Sequence, residues 1–176
     1  MNLSKKNLRK LFKETRENIS EKRRKKAEEK AFTFLMNKAV FYKNILSFAS
    51  KKEEINIWRF NKFLALSKRL FFTKDLEIYK VDYLRNLKLN RSFNLLEPIV
   101  EKCKKTENVD MILVPGLAFD HNKRRLGYGQ GYYDLLIDRI EERKIYTLGL
   151  GFKEQFYEKD LPFEKHDKIL DEIALF

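Results

Sequence analysis

Apolar residues recur at helical spacing through the first forty positions of the chain. The first set predicts one amphipathic helix and comprises Leu8, Leu11, Phe12, Thr15 and Ile19. A second set predicts another helix and comprises Ala27, Ala31, Phe34 and Leu35. Ser20 precedes this second helix and suits its N-cap, and Glu21 and Lys25 lie four apart on its solvated face.

After residue 40 the pattern changes to short apolar runs alternating with helical segments. Strands are predicted at 42–49, 70–72, 77–79, 111–114, 145–149 and 169–173, and helices at 56–68 and 132–143. Strands that alternate with helices predict an α/β fold with a mainly parallel sheet and helices on both faces. In such sheets ligands bind at the carboxyl ends of the strands, so residues after 42–49 and after 111–114 are expected to face one cleft.

Length and charge narrow the classes of protein further. With 176 residues, of which 43% are hydrophobic, the chain can bury one substantial core, so we expect a single domain over residues 1–176. The net charge is +12, and residues 1–40 carry 13 Lys or Arg against 5 Glu. That excess favours two solvated helices, and an arm that binds nucleic acid is the alternative.

The sequence has one cysteine and shows no targeting or membrane-spanning segment. Cys103 is the single cysteine of the sequence, which excludes an intrachain disulfide and a CxxC metal site. No apolar run approaches the roughly 18 residues of a membrane span, and no N-terminal apolar segment resembles a signal peptide. A cytoplasmic protein without a membrane partner is therefore expected.

The segment 111–134 carries the most chemistry in the chain. A predicted strand closes at Pro115, and Arg125 precedes three alternating glycines, followed by a helix that opens near Tyr132. Those glycines are Gly127, Gly129 and Gly131. Glycine lets the backbone approach a ligand, a helix N-terminus offers free N–H groups, and arginine adds a cationic fork. The segment predicts a polyphosphate site, although it matches neither a Walker A loop nor GxGxxG, and a simple tight turn is the alternative.

Several motifs together resemble the 5-formyltetrahydrofolate cyclo-ligase family, also called methenyltetrahydrofolate synthetases. They are RLGYGQGYYD at 125–134, VPGLAFD at 114–120, GLGFKEQ at 149–155, HDKILDEI at 166–173, KKNLR at 5–9 and SKKEEIN at 50–56. The resemblance covers nearly the whole chain and is loose between about 57 and 110. The glycine segment is its specific part.

The resemblance implies a set of functional residues. ATP would contact Lys5, Arg9, Arg125, Gly127, Tyr128, Gly129, Gln130, Gly131, Tyr132 and Tyr133, of which Lys5, Arg9 and Arg125 would also be catalytic. The folate would contact Ala49, Glu54, Phe93, Tyr128, Gly129, Gln130, Gly131 and Tyr132. Mg²⁺ would be bound by Asp134 and Asp167, each of which would by itself be interpreted as a helix cap or a surface acid. Thr73 stands where many members have proline, which leaves the direction of Lys74 open.

The activity that the resemblance implies is ATP- and Mg²⁺-dependent closure of 5-formyltetrahydrofolate to 5,10-methenyltetrahydrofolate, with release of ADP and phosphate. The implied partners are these two small molecules, and we expect a monomer that does not act on nucleic acid. Another phosphate-handling enzyme, such as a small kinase or a sugar-phosphate isomerase, is the first alternative, because fold and glycine turn do not name a substrate. A nucleic-acid-binding module is the second alternative.

Overall fold

The computed structural model describes residues 3–92, 94–140 and 144–176. The helices of these ranges are α1 (Lys5–Glu17), α2 (Glu21–Lys38), α3 (Trp58–Leu66) and α4 (Tyr132–Ile140). The Ser20 side chain accepts a hydrogen bond from the Arg23 N–H and caps α2 as predicted. None of the helices in the described ranges is long and apolar enough to cross a membrane.

The strands build one central sheet and two small hairpins. They are β1 (Ile45–Leu46), β2 (Leu70–Lys74), β3 (Glu77–Lys80), β4 (Leu87–Asn90), β5 (Leu95–Pro98), β6 (Lys104–Lys105), β7 (Met111–Pro115), β8 (Ala118–Phe119), β9 (Arg125–Leu126), β10 (Tyr146–Gly151) and β11 (Glu172–Leu175). The central sheet has the order β11-β10-β7-β1-β2-β3-β6. Its first five strands run parallel and its last two pair antiparallel, which confirms the predicted mainly parallel sheet.

Alternate residues of the strands supply two separate cores. Met111 and Leu113 of β7 are buried on the face covered by α2 and α3. Their neighbours Ile112 and Val114 are buried on the opposite face, where Leu136 of α4 packs. A strand buried on both faces is a continuous apolar run, as β7 is in the sequence. The predicted placement of helices on both faces is confirmed.

Helix α1 packs outside these two cores on a third apolar cluster. Leu8 and Phe12 are buried there against residues of the β8–β9 hairpin and the segment after β10. The expected apolar face of this helix was partly wrong: Leu11 is 44% exposed and Ile19 lies beyond the last helical residue. Arg16 is buried instead, with 3% of its surface exposed. The inner face of α1 therefore mixes apolar side chains with basic ones.

Several predicted bounds are also corrected. The strand expected at 42–49 is confined to Ile45–Leu46, because residues 40–44 form a turn and the chain leaves the sheet after Ser47. The last strand begins at Glu172 rather than at 169. The hairpins β4–β5 and β8–β9 were not predicted, and the second of them separates β7 from the glycine segment. Residues 141–143, the predicted end of the fourth helix, lie outside the described residues.

Candidate active site

A cleft of about 630 Å³ opens at the carboxyl ends of β1, β2 and β7. The predicted site residues that line it are Lys5, Arg9, Ala49, Glu54, Arg125, Gly127, Tyr128, Gly129, Gln130, Gly131, Tyr132, Tyr133, Asp134 and Asp167. Phe93, the remaining candidate, lies outside the described residues. Residues that are up to 162 positions apart in the chain thus meet in one cavity.

The glycine segment forms the loop that connects β9 to α4. Gly129 has a φ of +109°, a conformation open to glycine and strained for other residues. A Cβ at this position would lie 3.3 Å from the Cζ of Arg9. The Nε of Arg9 donates a hydrogen bond of 3.0 Å to the carbonyl of Gly127. Helix α1 therefore packs directly against this loop, and the N-terminus of α4 borders the cleft beside it.

Arg125 and Asp134 form a nearly buried ion pair at the base of the loop. The Nη2 of Arg125 lies 2.8 Å from the Oδ2 of Asp134, and their side chains are 6% and 14% exposed. The guanidinium also lies over the Tyr133 ring, 5.6 Å from its centroid. The neighbouring Arg124 contacts the Phe163 ring and does not line the cleft. The two consecutive arginines therefore have different surroundings, and Arg125 is the one in the cleft.

A second group of charges surrounds Lys5 on the first turn of α1. Its Nζ lies 2.7 Å from the Oδ2 of Asp167 and 3.0 Å from the Oε1 of Glu164. Desolvation lowers the pKa of Lys5, but the hydrogen bonds to the two carboxylates outweigh it and the net pKa is raised. For Asp167, desolvation raises the pKa, whereas the bonds from Lys5 and from the Glu164 N–H bring it below its ordinary value. Both groups are therefore charged at neutral pH.

The two acids predicted as metal ligands belong to neighbouring segments that line the cleft. Lys168, which follows Asp167 directly, donates its backbone N–H to the Oδ1 of Asp134 at 3.1 Å. Within the described part of the chain, no three His, Cys, Asp or Glu side chains are grouped so that they could hold a metal ion. A metal bound here would need ligands from another molecule in addition to these carboxylates.

Glu54 also lines the cleft, next to the glycine loop, and is 6% exposed. Its Oε2 accepts the backbone N–H of Lys51 at 2.9 Å, and its Oε1 accepts the hydroxyl of Tyr128 at 3.0 Å. The same hydroxyl accepts a 2.6 Å hydrogen bond from the Nη2 of Arg16. Burial and then the charge of Glu54 raise the pKa of Tyr128 above its ordinary value, so this hydroxyl is neutral.

The segment that follows β1 is fixed by a buried amide. The Oδ1 of Asn61 accepts the Ser47 hydroxyl at 2.5 Å, and its Nδ2 donates to the Phe48 carbonyl at 3.0 Å. Asn61 is fully buried in α3. Its two bonds hold residues 47–49, including the predicted Ala49, where they line the cleft.

The structure adds lining residues that the sequence did not single out. Glu164 lines the cleft, and Leu95 to Glu97 of the unpredicted strand β5 close one side of it. Thr73 and Asp75 line the cleft, whereas Lys74 between them does not. Arg16 was also missed, although its spacing of seven from Arg9 was a usable signal for a shared helical face.

Comparison with known proteins gives one consistent result. The family model of the 5-formyltetrahydrofolate cyclo-ligases matches residues 1–175. The chain is 30% identical to the mouse 5-formyltetrahydrofolate cyclo-ligase over 147 residues, which are 74% of this chain and 72% of the relative. It is 29% identical to the Haemophilus influenzae 5-formyltetrahydrofolate cyclo-ligase over 143 residues, or 76% and 75% of the two chains.

Solved structures agree with the sequence relatives. The NMR structure of 5,10-methenyltetrahydrofolate synthetase from Aquifex aeolicus superposes with a TM-score of 0.83 at 30% identity, and covers 97% of this chain and 89% of that one. The fold is shared with a 5,10-methenyltetrahydrofolate synthetase from Mycoplasma pneumoniae, with a TM-score of 0.70, 24% identity and coverage of 97% and 98%. The chain belongs to the 5-formyltetrahydrofolate cyclo-ligase family.

Proposed function

We propose that the protein closes 5-formyltetrahydrofolate to 5,10-methenyltetrahydrofolate at the expense of ATP. The observation that carries this proposal is the composition of the cleft. By chemistry its lining divides into two halves: a glycine loop, a helix N-terminus and three cationic side chains form the first, and a buried carboxylate with apolar and aromatic side chains forms the second. A polyphosphate suits the first half and a pterin suits the second. A volume of about 630 Å³ lies within the range of small-molecule sites.

The first half is assigned to the nucleotide. The Nε of Arg9 donates to the Gly127 carbonyl at 3.0 Å, which holds the guanidinium beside the loop, so phosphate oxygens that enter here could accept from its remaining N–H groups. Lys5 adds a cation on the same face of α1, one turn earlier. Arg125, pre-oriented by Asp134, would stabilise the negative charge of the phosphoryl group during its transfer.

Asp134 and Asp167 are the groups proposed to hold Mg²⁺. Mg²⁺ prefers oxygen ligands and is usually bound by one or two carboxylates together with substrate phosphates and water. The carboxylates of Asp134 and Asp167 line the same cleft on neighbouring segments, which fits that requirement. When bound, Mg²⁺ would neutralise phosphate charge. Arg125 and Lys5, now paired with these acids, would then be available to the phosphates.

The second half is assigned to the folate. Glu54 keeps lone pairs free after accepting one hydrogen bond on each oxygen, so it can accept further bonds from a ligand. Phe48, Ala49, Phe72 and Tyr132 supply an apolar wall beside it. Tyr128 borders both halves of the cleft. Phe93 stays a prediction from the family resemblance.

The chemistry needs positioning rather than a covalent nucleophile. The formyl oxygen bonds to the γ-phosphorus while the bond from that phosphorus to the β–γ bridging oxygen breaks, which releases ADP. N10 then bonds to the activated carbon and loses its proton, and the carbon–oxygen bond to phosphate breaks. The products are methenyltetrahydrofolate, ADP and phosphate. Phosphoryl transfer is accelerated mainly by orientation and by charge stabilisation, which the cationic side chains and loop amides would provide.

The test is an absorbance assay for methenyltetrahydrofolate, with 5-formyltetrahydrofolate, ATP and Mg²⁺ each omitted in turn. Product that forms only in the complete mixture supports the proposal. Product that forms without ATP, or ATP hydrolysis that does not depend on the folate, contradicts it. We also propose that the enzyme acts as a monomer, because one chain supplies both halves of the cleft, and sedimentation equilibrium would test this.

A further inference from the structure

Arg16 combines three properties that are unusual for an arginine on a terminal helix. It is 3% exposed, its Nη2 donates to the Tyr128 hydroxyl, and its Nε and Nη1 are buried without a hydrogen-bond partner among the described residues. No salt bridge compensates its charge within that part of the chain. Burying a cation with unsatisfied donors costs free energy, so its presence calls for a physical reason.

We find that reason in the effect of Arg16 on the direction of the neighbouring hydrogen bonds. Arginine has donors and no acceptor, so the Tyr128 hydroxyl must accept from Arg16. A tyrosine hydroxyl has one proton, which it donates in a hydrogen bond to the Glu54 carboxylate 3.0 Å away. Arg16 therefore determines which way the Tyr128 proton points. The three groups form a relay in which each bond has a single possible direction.

This relay also links two parts of the cleft through helix α1. Arg9 lies two turns before Arg16, contacts the glycine loop at Gly127 and closely approaches Gly129. Tyr128 stands between those two glycines. One rigid helix thus holds the loop backbone with Arg9 and the loop side chain with Arg16, and the held side chain in turn orients Glu54.

We infer that Arg16 is a positioning residue for the folate, which acts through the Tyr128 hydroxyl to orient the Glu54 carboxylate. The inference rests on the proposed function, since Glu54 is assigned there to the folate. Arg16 itself does not line the cleft. We therefore expect Arg16 to affect the affinity for folate, and to do so entirely through Tyr128.

The test measures the affinity for 5-formyltetrahydrofolate by calorimetry in five proteins. They are the wild type, Arg16→Met, Tyr128→Phe, the double variant, and Lys10→Met as a matched control. Lys10 lies on the exposed side of the same helix, so its replacement removes a charge without touching the relay. Each relay variant is expected to weaken folate binding about tenfold, the usual size for a hydrogen bond to a charged group. The double variant should be no weaker than either single one.

Each outcome decides the inference. Lys10→Met with unchanged affinity and non-additive relay variants support it. Wild-type affinity in Arg16→Met overturns it, and so does a double variant whose loss is the product of the single losses, because a purely structural role would add to the loss of the hydroxyl. If Arg16→Met does not fold, Arg16→Gln, which removes the charge and no longer fixes the direction of the bond to Tyr128, replaces it in the wild-type and Tyr128→Phe backgrounds. Turnover of the wild type is assayed separately: binding without turnover contradicts the proposed reaction, whereas the role of Arg16 is decided by the affinities alone.

Discussion

Replacement of Arg125 by methionine tests two roles of its ion pair with Asp134: the proposed role in turnover and the contribution to stability. Methionine keeps much of the length and apolar contact of arginine and removes the charge and the donors. Asp134 would then be a carboxylate with 14% exposure, held by the Lys168 N–H alone among the contacts described above. We expect two losses, one in turnover and one in stability.

Their magnitudes follow from the surroundings of the pair. Removing one preoriented donor to developing charge lowers kcat by about 10²- to 10³-fold, or roughly 3–4 kcal/mol. Breaking a buried ion pair by removing one partner costs about 3–5 kcal/mol of folding free energy. Because Asp134 keeps the hydrogen bond from Lys168 and some contact with solvent, we expect the lower end of this range, about 3 kcal/mol.

A second variant distinguishes the two losses. In Arg125→Met with Asp134→Asn, neither side chain is charged and the Lys168 N–H can still bond to the amide oxygen. Urea unfolding should show that most of the lost stability returns, whereas the absorbance assay should show no recovery of turnover. Full turnover in Arg125→Met with an unchanged dependence on ATP would refute the catalytic role. Turnover of the double variant does not bear on the role of Arg125, because Asp134→Asn also removes a proposed Mg²⁺ ligand; this variant tests stability alone.

Three further perturbations test the loop, the surface and the floor of the cleft. Gly129→Ala forces a side chain into a φ of +109° and against Arg9, a strain of roughly 1–3 kcal/mol, and should raise the KM for ATP. The pKa of Glu77 is lowered to about 2 by its hydrogen bonds to two cations, so it stabilises the fold above its ordinary pKa of 4.5. That contribution is lost as the pH falls from 4.5 to about 2, and Glu77→Gln should flatten this part of the unfolding curve. Asn61→Leu leaves a buried hydroxyl and a buried carbonyl without their partner and should cost about 2 kcal/mol in urea unfolding.

The loop variant has a control in the same chain. Gly131→Ala also places a side chain at a positive φ, +63°, but nothing lies within 4 Å of the new Cβ, so a smaller change in KM is expected. Equal effects of the two glycine variants would contradict the importance of the contact with Arg9. For Glu77, if the stability of the variant falls as steeply between pH 4.5 and about 2 as that of the wild type, its ion pairs do not contribute to stability.

The parallel sheet was predictable because its strands are buried on both faces. Met111–Pro115 is apolar at every position, a pattern typical of a strand in the interior of a parallel sheet. The β4–β5 hairpin was missed for the opposite reason. Leu87–Asn90 alternates apolar and polar residues over only four positions, and most of its side chains are partly exposed, so local sequence offers little contrast with a loop. Its strand β5 lines the cleft through Leu95 to Glu97, a long-range position that no local pattern encodes.

The site was predicted at the level of its residues and not of their contacts. The order of Arg125, three glycines and Asp134 identifies a candidate phosphate loop, but not the ion pair that joins the first of these residues to the last. Arg16 was missed because helical periodicity was judged from apolar residues alone. A buried arginine is invisible to that criterion, since its burial depends on Tyr128, which lies 112 positions away.

The bond between Lys5 and Asp167 has a consequence for the way the protein is made. These residues are 162 positions apart, so synthesis at about 5–20 residues per second separates them by roughly ten to thirty seconds. During that interval Leu8 and Phe12 have no completed cluster to enter, because Leu161 is not yet translated. Helix α1 is thus synthesised before the residues against which it docks. A nascent fragment that ends before Leu161 therefore lacks part of this cluster and, without Glu164 and Asp167, part of the cleft lining.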